Sequence, residues 1–271
     1  PQKTFPLDVF FCEDCHHVQL LDVVDPRVLF ENYVYVSGTS PVFVRHFEDY
    51  AAFVVDRYAP AAGSLVFDIG SNDGTLLKAF KNSGYRVLGV DPAIDIAARA
   101  SADGVETITG FFSPAMASDI RAGHGAASVI TANNVFAHID DLGGVLDGVR
   151  ALLDDDGVFV FEVSYLVDVF EHTLFDTIYH EHLAYHTVGP LVSFMRAHDM
   201  ELIDAIRVPS HGGSLRAVAR PRAGTRPVNA SVKDLVNLES AMGLDTAETY
   251  VDFGARIDVL RAELSSLLRS K

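Results

Sequence analysis

The chain lacks tryptophan, holds only two cysteines and carries few basic side chains for its length. Among its 271 residues, 21 are Lys or Arg and 37 are Asp or Glu, which gives a formal net charge of −16. This acidic balance argues against a nucleic-acid partner and against an anionic membrane surface. Two cysteines cannot build a disulfide framework, and that scarcity favours a cytoplasmic setting.

Two kinds of hydrophobic segment are also missing. No apolar run approaches the roughly 20 residues of a membrane helix, and no signal peptide opens the chain, so we expect no membrane partner. The first residue is Pro1 rather than Met, and we expect the chain to start inside a longer gene product. With 49% apolar residues, the chain can bury one large core and still carry small appendages.

The centre of the chain alternates between short apolar runs and segments with helical periodicity. Such alternation is typical of βαβ units, in which parallel strands form a doubly wound sheet of the Rossmann-like α/β class. The predicted strands cover residues 65–69, 87–90, 105–109, 127–131 and 158–163, and the predicted helices cover 41–58, 75–82 and 142–153.

The remainder of the chain divides around this centre. After the fifth strand we predict a helix over 191–198, a strand pair over 201–208 and 214–219, and a Pro/Gly/Arg linker over 221–227. A long polar helix over 231–269, with no core of its own, follows the linker. We therefore predict three parts: an appendage over 1–30, an α/β domain over 31–221, and a linker with a helix over 222–271.

The sharpest motif is V-F-D-I-G-S-N-D-G over residues 66–74, a buried strand that runs into a Gly-rich turn and a helix. Such a turn brings a ligand close to backbone N–H groups at the helix N-terminus. Gly70 and Gly74 do not fit the G-x-G-x-x-G register of a dinucleotide site. Asp68 and Asp73 would repel a pyrophosphate, whereas they suit a ligand with an ammonium and a sulfonium, such as S-adenosylmethionine.

Later strand ends supply partners for the same ligand. Asp91 lies 23 residues after Asp68, at the carboxyl end of the second strand, where an acid can accept both hydroxyls of a ribose. Phe111 and Phe112 are candidates for an adenine wall or for the core. Asn133 and Asn134 follow the fourth strand. The predicted donor-binding residues are Asp68, Gly70, Asn72, Asp73, Gly74, Asp91, Asn133 and Asn134.

Histidines cluster after the fourth and fifth strands, where open α/β sheets bind their ligands. His138 follows the fourth strand, and Tyr179-His180-Glu181-His182 follows the fifth. A neutral imidazole is a competent general base near pH 7, and a neighbouring glutamate can raise its basicity and fix its tautomer. A metal site at His180 and His182 is the alternative, but the spacing is not H-E-x-x-H and no third ligand is evident.

Two further segments carry candidate substrate contacts. The loop H-G-G-S-L-R offers His211, Gly212, Gly213, Ser214 and Arg216 to a carbonyl, hydroxyl or phosphate, although G-G-S is also a common turn. Residues 32–40 place two phenols and three hydroxyls ahead of the first helix, and they fit a strand or turn equally well.

Taken together, these motifs resemble the sugar C-methyltransferases that act on nucleotide-linked 4-keto-deoxyhexoses. The resemblance implies a class I methyltransferase fold, S-adenosylmethionine as donor, and methyl transfer to C3 of a thymidine-diphosphate-linked (dTDP) keto sugar. The matching pieces are C-E-D-C-H-H-V-Q-L from Cys12, Y-V-Y-V-S-G-T-S from Tyr33, F-D-I-G-S-N-D-G from Phe67, A-N-N-V-F-A-H-I from Ala132, F-E-V-S-Y-L from Phe161, Y-H-E-H from Tyr179 and H-G-G-S-L-R from His211.

The same resemblance implies roles for the histidine cluster. A carbon next to a ketone is a weak acid, so its methylation needs a base and a group that stabilises the enolate oxygen. Carried over from the family, His182 is the base and is assisted by Glu181 and Tyr179. His138 and Tyr33 are the groups near the keto or enolate oxygen.

Two departures from the family pattern affect what this chain can do. The family has an N-terminal zinc-binding module with two C-x-x-C pairs, and here only Cys12 and Cys15 are present. One pair is half of a tetrahedral zinc site, so zinc needs His16, His17 or another chain as well. The family also has a further α/β domain after the segment that corresponds to 231–269. From these two departures we expect a fragment, or a protein trimmed at both ends. We also expect it to be a monomer.

Three other functions stay open at this point. An O- or N-methyltransferase for another small molecule could use the same fold. A donor-binding domain without activity of its own would also fit the missing segments. An NAD-dependent sugar enzyme is opposed by the absent G-x-G-x-x-G and by the absent Tyr-x-x-x-Lys pair.

Overall fold

The computed structural model describes residues 3–270, so Pro1 and Gln2 at the start of the predicted appendage, and Lys271, lie outside the described residues. The first half of the chain forms these elements, in order: β1 (Val9–Phe11), β2 (Val18–Leu20), α1 (Pro26–Phe30), α2 (Pro41–Tyr58), β3 (Leu65–Ile69), α3 (Thr75–Asn82), β4 (Arg86–Asp91), α4 (Ile94–Ala102), β5 (Thr107–Thr109), α5 (Pro114–His124) and β6 (Ala127–Asn133). The second half adds α6 (Leu142–Leu152), β7 (Leu153–Ser164), α7 (Leu166–His172), β8 (Ala184–Tyr185), α8 (Val188–Ala197), β9 (Met200–Val208), β10 (Ser214–Pro221), α9 (Ala230–Ala241) and α10 (Ala247–Arg269).

Seven strands form one sheet in the order β5-β4-β3-β6-β7-β10-β9. The five strands from β5 to β7 run parallel, and β10 is antiparallel to both of its neighbours. The predicted doubly wound, mostly parallel sheet is confirmed, and the predicted strand pair forms its antiparallel edge. Because strand order reverses between β3 and β6, their carboxyl ends open a crevice at that point of the sheet.

The central strands are buried because helices cover both faces of the sheet. All five residues of β3 are buried. Side chains of β3 and of its neighbour β6 alternate between two hydrophobic clusters. Val66 and Val129 pack on one side of the sheet, and Phe67 and Ile130 pack on the other. The strands therefore read as continuous apolar runs, and the polar Asp68 among them needs a partner within the protein.

Helix α2 has the predicted bounds because the residues that cap it lie directly beside its two ends in the sequence. The Ser40 hydroxyl accepts a hydrogen bond from the backbone N–H of Phe43 at 3.3 Å, and Pro41 occupies the first helical position. The helix ends where Ala59 adopts a left-handed conformation. Its buried face includes Tyr50 and packs on the central strands.

The prediction of one helix over 231–269 is wrong, because Gly243 interrupts it. Gly243 adopts a φ of 71°, and its N–H donates to the Ser240 carbonyl at 3.0 Å, which ends α9. Helix α9 also docks on the domain through Glu239, whose carboxylate accepts hydrogen bonds from the backbone N–H groups of Val188 and Gly189. In α10, by contrast, the buried position is Phe253.

The N-terminal segment is tied to the domain through a second, three-stranded sheet. Strands β1 and β2 pair with each other, and β2 pairs with β8, so this sheet is antiparallel throughout. Val18 and Leu20 of β2 belong to the main hydrophobic cluster. None of the helices formed by residues 3–270 is both long and apolar enough to cross a membrane.

Candidate active site

A cavity of about 790 Å³ opens at the carboxyl ends of β3, β4 and β6. This volume lies in the range of cavities that hold a cofactor together with a small substrate. At one end it is lined by Asp68, Gly70, Asn72, Asp91, Asn133 and Asn134, all predicted to bind a donor. At the other end it is lined by Tyr33, His138, Tyr179, His182 and His211. We call these the donor end and the acceptor end.

Asp91 anchors the donor end. One of its carboxylate oxygens accepts the backbone N–H of Asn72 at 2.8 Å, and the other accepts the N–H of Ala93 at 2.8 Å. Burial raises the pKa of Asp91, and the two N–H donors act in the opposite direction. Because each carboxylate oxygen can accept a second hydrogen bond, Asp91 can still take a pair of hydroxyls from a ligand in the cavity.

Asp68 is the second acid of the donor end. It is buried, and its Oδ1 accepts a hydrogen bond from the Thr131 hydroxyl at 2.6 Å. Burial raises the pKa of Asp68, the Thr131 hydrogen bond opposes this, and the nearby Asp91 carboxylate adds to it, so that the pKa is about 7. A cation bound at this end would stabilise the ionised carboxylate, so the donor end favours a positively charged ligand.

The glycines shape the turn that follows β3. Gly70 has a φ of 69°, and a Cβ at this position would collide with Val135 on the facing wall. Gly74 has a φ of 75° and packs against Val105, off the cavity wall. Asp73 also lies off that wall and accepts hydrogen bonds from the Gly38 N–H and the Thr75 hydroxyl. The structure therefore brings Asp68 and Asp91 to the cavity, rather than Asp68 and Asp73.

The asparagines after β6 line the cavity as predicted. Asn134 has a φ of 55°, and its backbone N–H donates to the Glu162 carbonyl at 2.8 Å. Phe111 and Phe112 line the cavity too. Phe112 also packs on the core residue Phe67, with ring centroids 5.5 Å apart, so it serves the wall and the core together.

His182 lies at the centre of the acceptor end. Its Nδ1 is 2.7 Å from the Thr177 carbonyl, which can only accept, so Nδ1 carries the proton in this arrangement. Its Nε2 is then an acceptor, and the Tyr179 hydroxyl donates to it at 3.1 Å. Burial lowers the pKa of His182, which keeps the imidazole neutral near pH 7. A neutral imidazole with an accepting nitrogen is chemically able to take a proton.

His138 stacks between two other rings. Its centroid lies 5.5 Å from that of Phe30 and 5.0 Å from that of His182. Burial, together with the neighbouring His182, lowers the pKa of His138 to about 3. Its Nε2 is buried and has no hydrogen-bond partner within residues 3–270. His138 therefore stays neutral at physiological pH and keeps one ring nitrogen available for a ligand.

Glu181 contacts Tyr33 instead of His182. The Tyr33 hydroxyl donates to Glu181 Oε2 at 3.4 Å, and burial together with the Glu181 charge raises the pKa of Tyr33 to about 12. The expectation that Glu181 fixes the tautomer of His182 is thus corrected: the Thr177 carbonyl does so, because it already occupies Nδ1. Tyr33 remains protonated and able to donate.

The loop 211–216 is split between the cavity and the interior. His211 lines the cavity and packs edge-on against Phe43, with centroids 4.9 Å apart. The four other predicted substrate residues lie off the cavity wall: Gly212 beside Leu174, Gly213 against Asp168, Ser214 bonded to the Ser210 carbonyl, and Arg216 bonded to Glu162.

Beneath this loop lies a buried charge network that sequence reasoning missed. The Glu162 carboxylate accepts from Arg216 Nε at 2.6 Å and lies 2.7 Å from His46 Nε2. Both Glu162 and Arg216 are almost fully buried. The missed signal was an acid within the apolar strand V-F-V-F-E-V, since a buried carboxylate requires a charged or hydrogen-bonding partner.

Cys12 and Cys15 form a tight turn near the N-terminus. The Cys12 N–H donates to the His17 carbonyl at 2.9 Å, and the His16 N–H donates to the Cys12 carbonyl at 2.8 Å. Within residues 3–270, no group of three close ligand atoms includes a cysteine. Two thiols supply half of a tetrahedral zinc site, so these residues alone do not fit zinc.

Comparisons with known proteins agree with this architecture. A family model described as "Methyltransferase domain" matches residues 43–203. Two further models flank it: "C-methyltransferase C-terminal domain" over 209–271, and "Putative zinc binding domain" over 1–30.

The chain is also similar to individual proteins. It is 37% identical over 268 residues to C-methyltransferase NovU of Streptomyces niveus. The aligned region covers 99% of this chain and 64% of that relative. The chain thus spans slightly less than two thirds of the length of this relative.

Solved structures show the fold. Magnesium protoporphyrin IX methyltransferase of Synechocystis with bound SAH matches with a TM-score of 0.51 at 14% identity, over 72% of this chain and 91% of that one. The PH0226 protein of Pyrococcus horikoshii matches with a TM-score of 0.53 at 15% identity, over 69% and 94%. The crevice at the strand ends, its acidic donor end and the matched residues 43–203 lead to one conclusion: this chain belongs to the methyltransferase domain family.

Proposed function

We propose that this chain takes part in S-adenosylmethionine-dependent C-methylation, with C3 of a dTDP-linked 4-keto-deoxysugar as the acceptor carbon. One observation carries the proposal: the neutral His182, with Nδ1 bonded to a carbonyl, lines the same cavity as Asp68 and Asp91. The similarity to a protein named as a C-methyltransferase supports carbon as the acceptor.

The donor end fits S-adenosylmethionine by charge and by hydrogen bonding. When bound, that cofactor supplies an electrophilic methyl group on a positively charged sulfur. The free lone pairs of Asp91 would accept the ribose hydroxyls, as acids at this strand end do in nucleotide-binding sheets. Ionised Asp68 would stabilise the positive charge of the bound cofactor, because Asp68 is buried and water screens the attraction little there.

The acceptor end fits the removal of a proton from carbon. Nε2 of His182 would take the proton from the carbon beside the ketone, and the electron pair of that C–H bond would move towards the ketone oxygen. Tyr33, kept protonated by its raised pKa, and His138 would donate to this oxygen. The carbon would then form its new bond to the methyl group, while the sulfur keeps the electron pair of the bond that breaks.

Solvent exchange tests this assignment directly. The protein would be mixed with a dTDP-4-keto-deoxysugar in D₂O, and deuterium uptake at C3 would be followed by NMR, with and without S-adenosylmethionine. We expect uptake and C3 methylation with the wild-type chain and neither with His182→Gln. Methylation of a hydroxyl or an amine without exchange at C3 would contradict C-methylation and support an O- or N-methyltransferase. Donor binding without any transfer would support a binding domain.

Other parts of the proposal concern setting and assembly. The three predicted regions, the cytoplasmic setting and the monomeric state stay predictions. Zinc at the N-terminal segment also stays a prediction, since it needs ligands beyond Cys12 and Cys15. Metal analysis of the purified chain would check the zinc, and light scattering would check the oligomeric state.

A further inference from the structure

Asn72 occupies a position where the backbone favours glycine. Its φ is 49°, between Gly70 at 69° and Gly74 at 75°. Glycine adopts this left-handed region freely, and asparagine adopts it more readily than most residues with a side chain. A residue kept at such a position calls for a reason in its side chain.

The side chain of Asn72 holds a segment that is distant in sequence. Its Nδ2 donates to the Tyr35 carbonyl at 2.9 Å, and its Oδ1 accepts from the Ser37 N–H at 2.9 Å. These two bonds fix the orientation of the amide, because a carbonyl only accepts and an N–H only donates. The backbone N–H of the same residue donates to Asp91 at 2.8 Å. Asn72 therefore links the main acid of the donor end to residues 35–37.

Residues 33–40 form what we call the strap, a segment that contributes to the cavity wall. Tyr33, Tyr35 and Ser37 line the cavity from this segment, whereas Val34 is 89% exposed. A second contact lies beside the Asn72 amide, where the Gly38 N–H donates to Asp73 at 3.1 Å. The approach there is so close that a Cβ on Gly38 would collide with the Asp73 carboxylate.

We propose that Asn72 is a positioning residue that latches the strap over the cavity and so places Tyr33 at the acceptor end. Both polar atoms of its amide bond to the strap, and the prediction that Asn72 also contacts the donor stays a prediction. A donor held by Asp91 would restrain Asn72 through the shared N–H bond and tighten the strap. The consequence for turnover rests on the proposed function, whereas the latch itself does not.

Hydrogen exchange in the strap tests the latch apart from catalysis. Asn72→Gly removes the amide and relaxes the backbone, so the variant should fold. With two hydrogen bonds lost, we expect exchange of the Ser37 amide to quicken about tenfold or more. S-adenosylhomocysteine should slow this exchange in the wild type and leave it unchanged in the variant. Affinity for S-adenosylhomocysteine should change less than about threefold, because the substitution removes no hydrogen bond to this ligand.

Glycine variants provide a matched comparison. Gly38→Ala should quicken exchange in the strap as Asn72→Gly does, because the added methyl group pushes the strap off Asp73. Gly123→Ala is the control, since a Cβ there meets nothing within 4 Å. Unchanged Ser37 exchange in Asn72→Gly together with a large loss of donor affinity would overturn the latch and make Asn72 a donor contact.

Turnover provides the last readout and separates the two proposals. If the wild type methylates the keto sugar, Asn72→Gly should lower kcat about tenfold or more while the affinity for the donor is kept. Unchanged kcat would overturn the positioning of Tyr33. If the wild type binds the donor and transfers no methyl group, the proposed function fails, and the exchange measurements still decide whether Asn72 latches the strap.

Discussion

The two ends of the cavity are built in different ways. The donor end comes from β3 with its glycine turn, from Asp91 at the end of the neighbouring β4, and from Asn133 and Asn134 at the end of β6. The acceptor end comes from Tyr33, His138, His182 and His211, which four separate segments bring together. The donor end therefore follows from short motifs at the ends of strands, whereas the acceptor end depends on how distant segments pack.

The two ends also differ in charge, for one shared physical reason. Burial raises the pKa of both Asp68 and Asp91 at the donor end, and it lowers the pKa of both His138 and His182 at the acceptor end. A bound cation can restore the charge on the acids, while the imidazoles stay neutral. One end thus favours a cation and the other can accept a proton.

The largest effect is expected at the acceptor end. His182→Ala should lower turnover by about 10²- to 10⁴-fold, the usual contribution of a general base, because it removes the Nε2 that would take the proton. Donor affinity, measured by calorimetry, should be unchanged. His172→Ala removes an exposed histidine and is the control. Loss of donor affinity in His182→Ala would contradict the assignment of donor binding and proton removal to different residues.

The next effect is on stability and concerns the network beneath the acceptor end. Arg216→Ala leaves Glu162 buried beside His46 without its guanidinium, so the free energy of unfolding should fall by about 3–5 kcal/mol. Urea denaturation measures this loss, with the exposed Arg45→Ala as the control. If Arg216→Ala keeps full stability but loses binding of the acceptor substrate, Arg216 contacts the substrate as the sequence predicted.

A smaller effect is expected at the donor end. Asp91→Ala should weaken the binding of S-adenosylhomocysteine by about 1.5–3 kcal/mol, because hydrogen bonds to an ionised group are stronger than neutral ones. Asp95→Ala, at an exposed position in the following helix, is the matched control. If calorimetry gives equal affinities for the two variants, the ribose is not held at Asp91.

The smallest effect is a pH dependence that belongs to the donor end. Asp68 is neutral below its pKa of about 7 and ionised above it, so a cationic donor should bind several-fold more tightly at about pH 8 than at about pH 6. His138, with a pKa of about 3, adds no step in this interval. Asp68→Asn keeps a partner for Thr131 and should flatten the profile. A profile that is unchanged in this variant would assign the step elsewhere.

Much of the donor end could be predicted because its signals are local. The bounds of α2, β3 and α3 follow from caps, apolar runs and glycines that stand next to each other in sequence. Asp73 was predicted to face the ligand because it is acidic and close to Asp68. It lies off the cavity wall because its carboxylate accepts from Gly38 and Thr75.

Other features could not be predicted from neighbouring residues. The break of the C-terminal helix at Gly243 was hidden in a run of helix-forming residues, since one glycine lowers helix stability without always ending the helix. The tautomer of His182 depends on the Thr177 carbonyl, and carbonyl groups are present at every residue. No pattern in the sequence distinguishes the carbonyl that is used.

The amino-acid sequence by itself determined the central alternation of strands and helices, the glycine turn and the two acids at strand ends, because these depend on contacts between near neighbours. Tertiary structure alone decided that Glu162 takes Arg216 into the interior, that Asn72 holds the strap, and that His138 stacks on His182. Those outcomes depend on distances between residues that are tens of positions apart, and such distances exist only after the chain has packed.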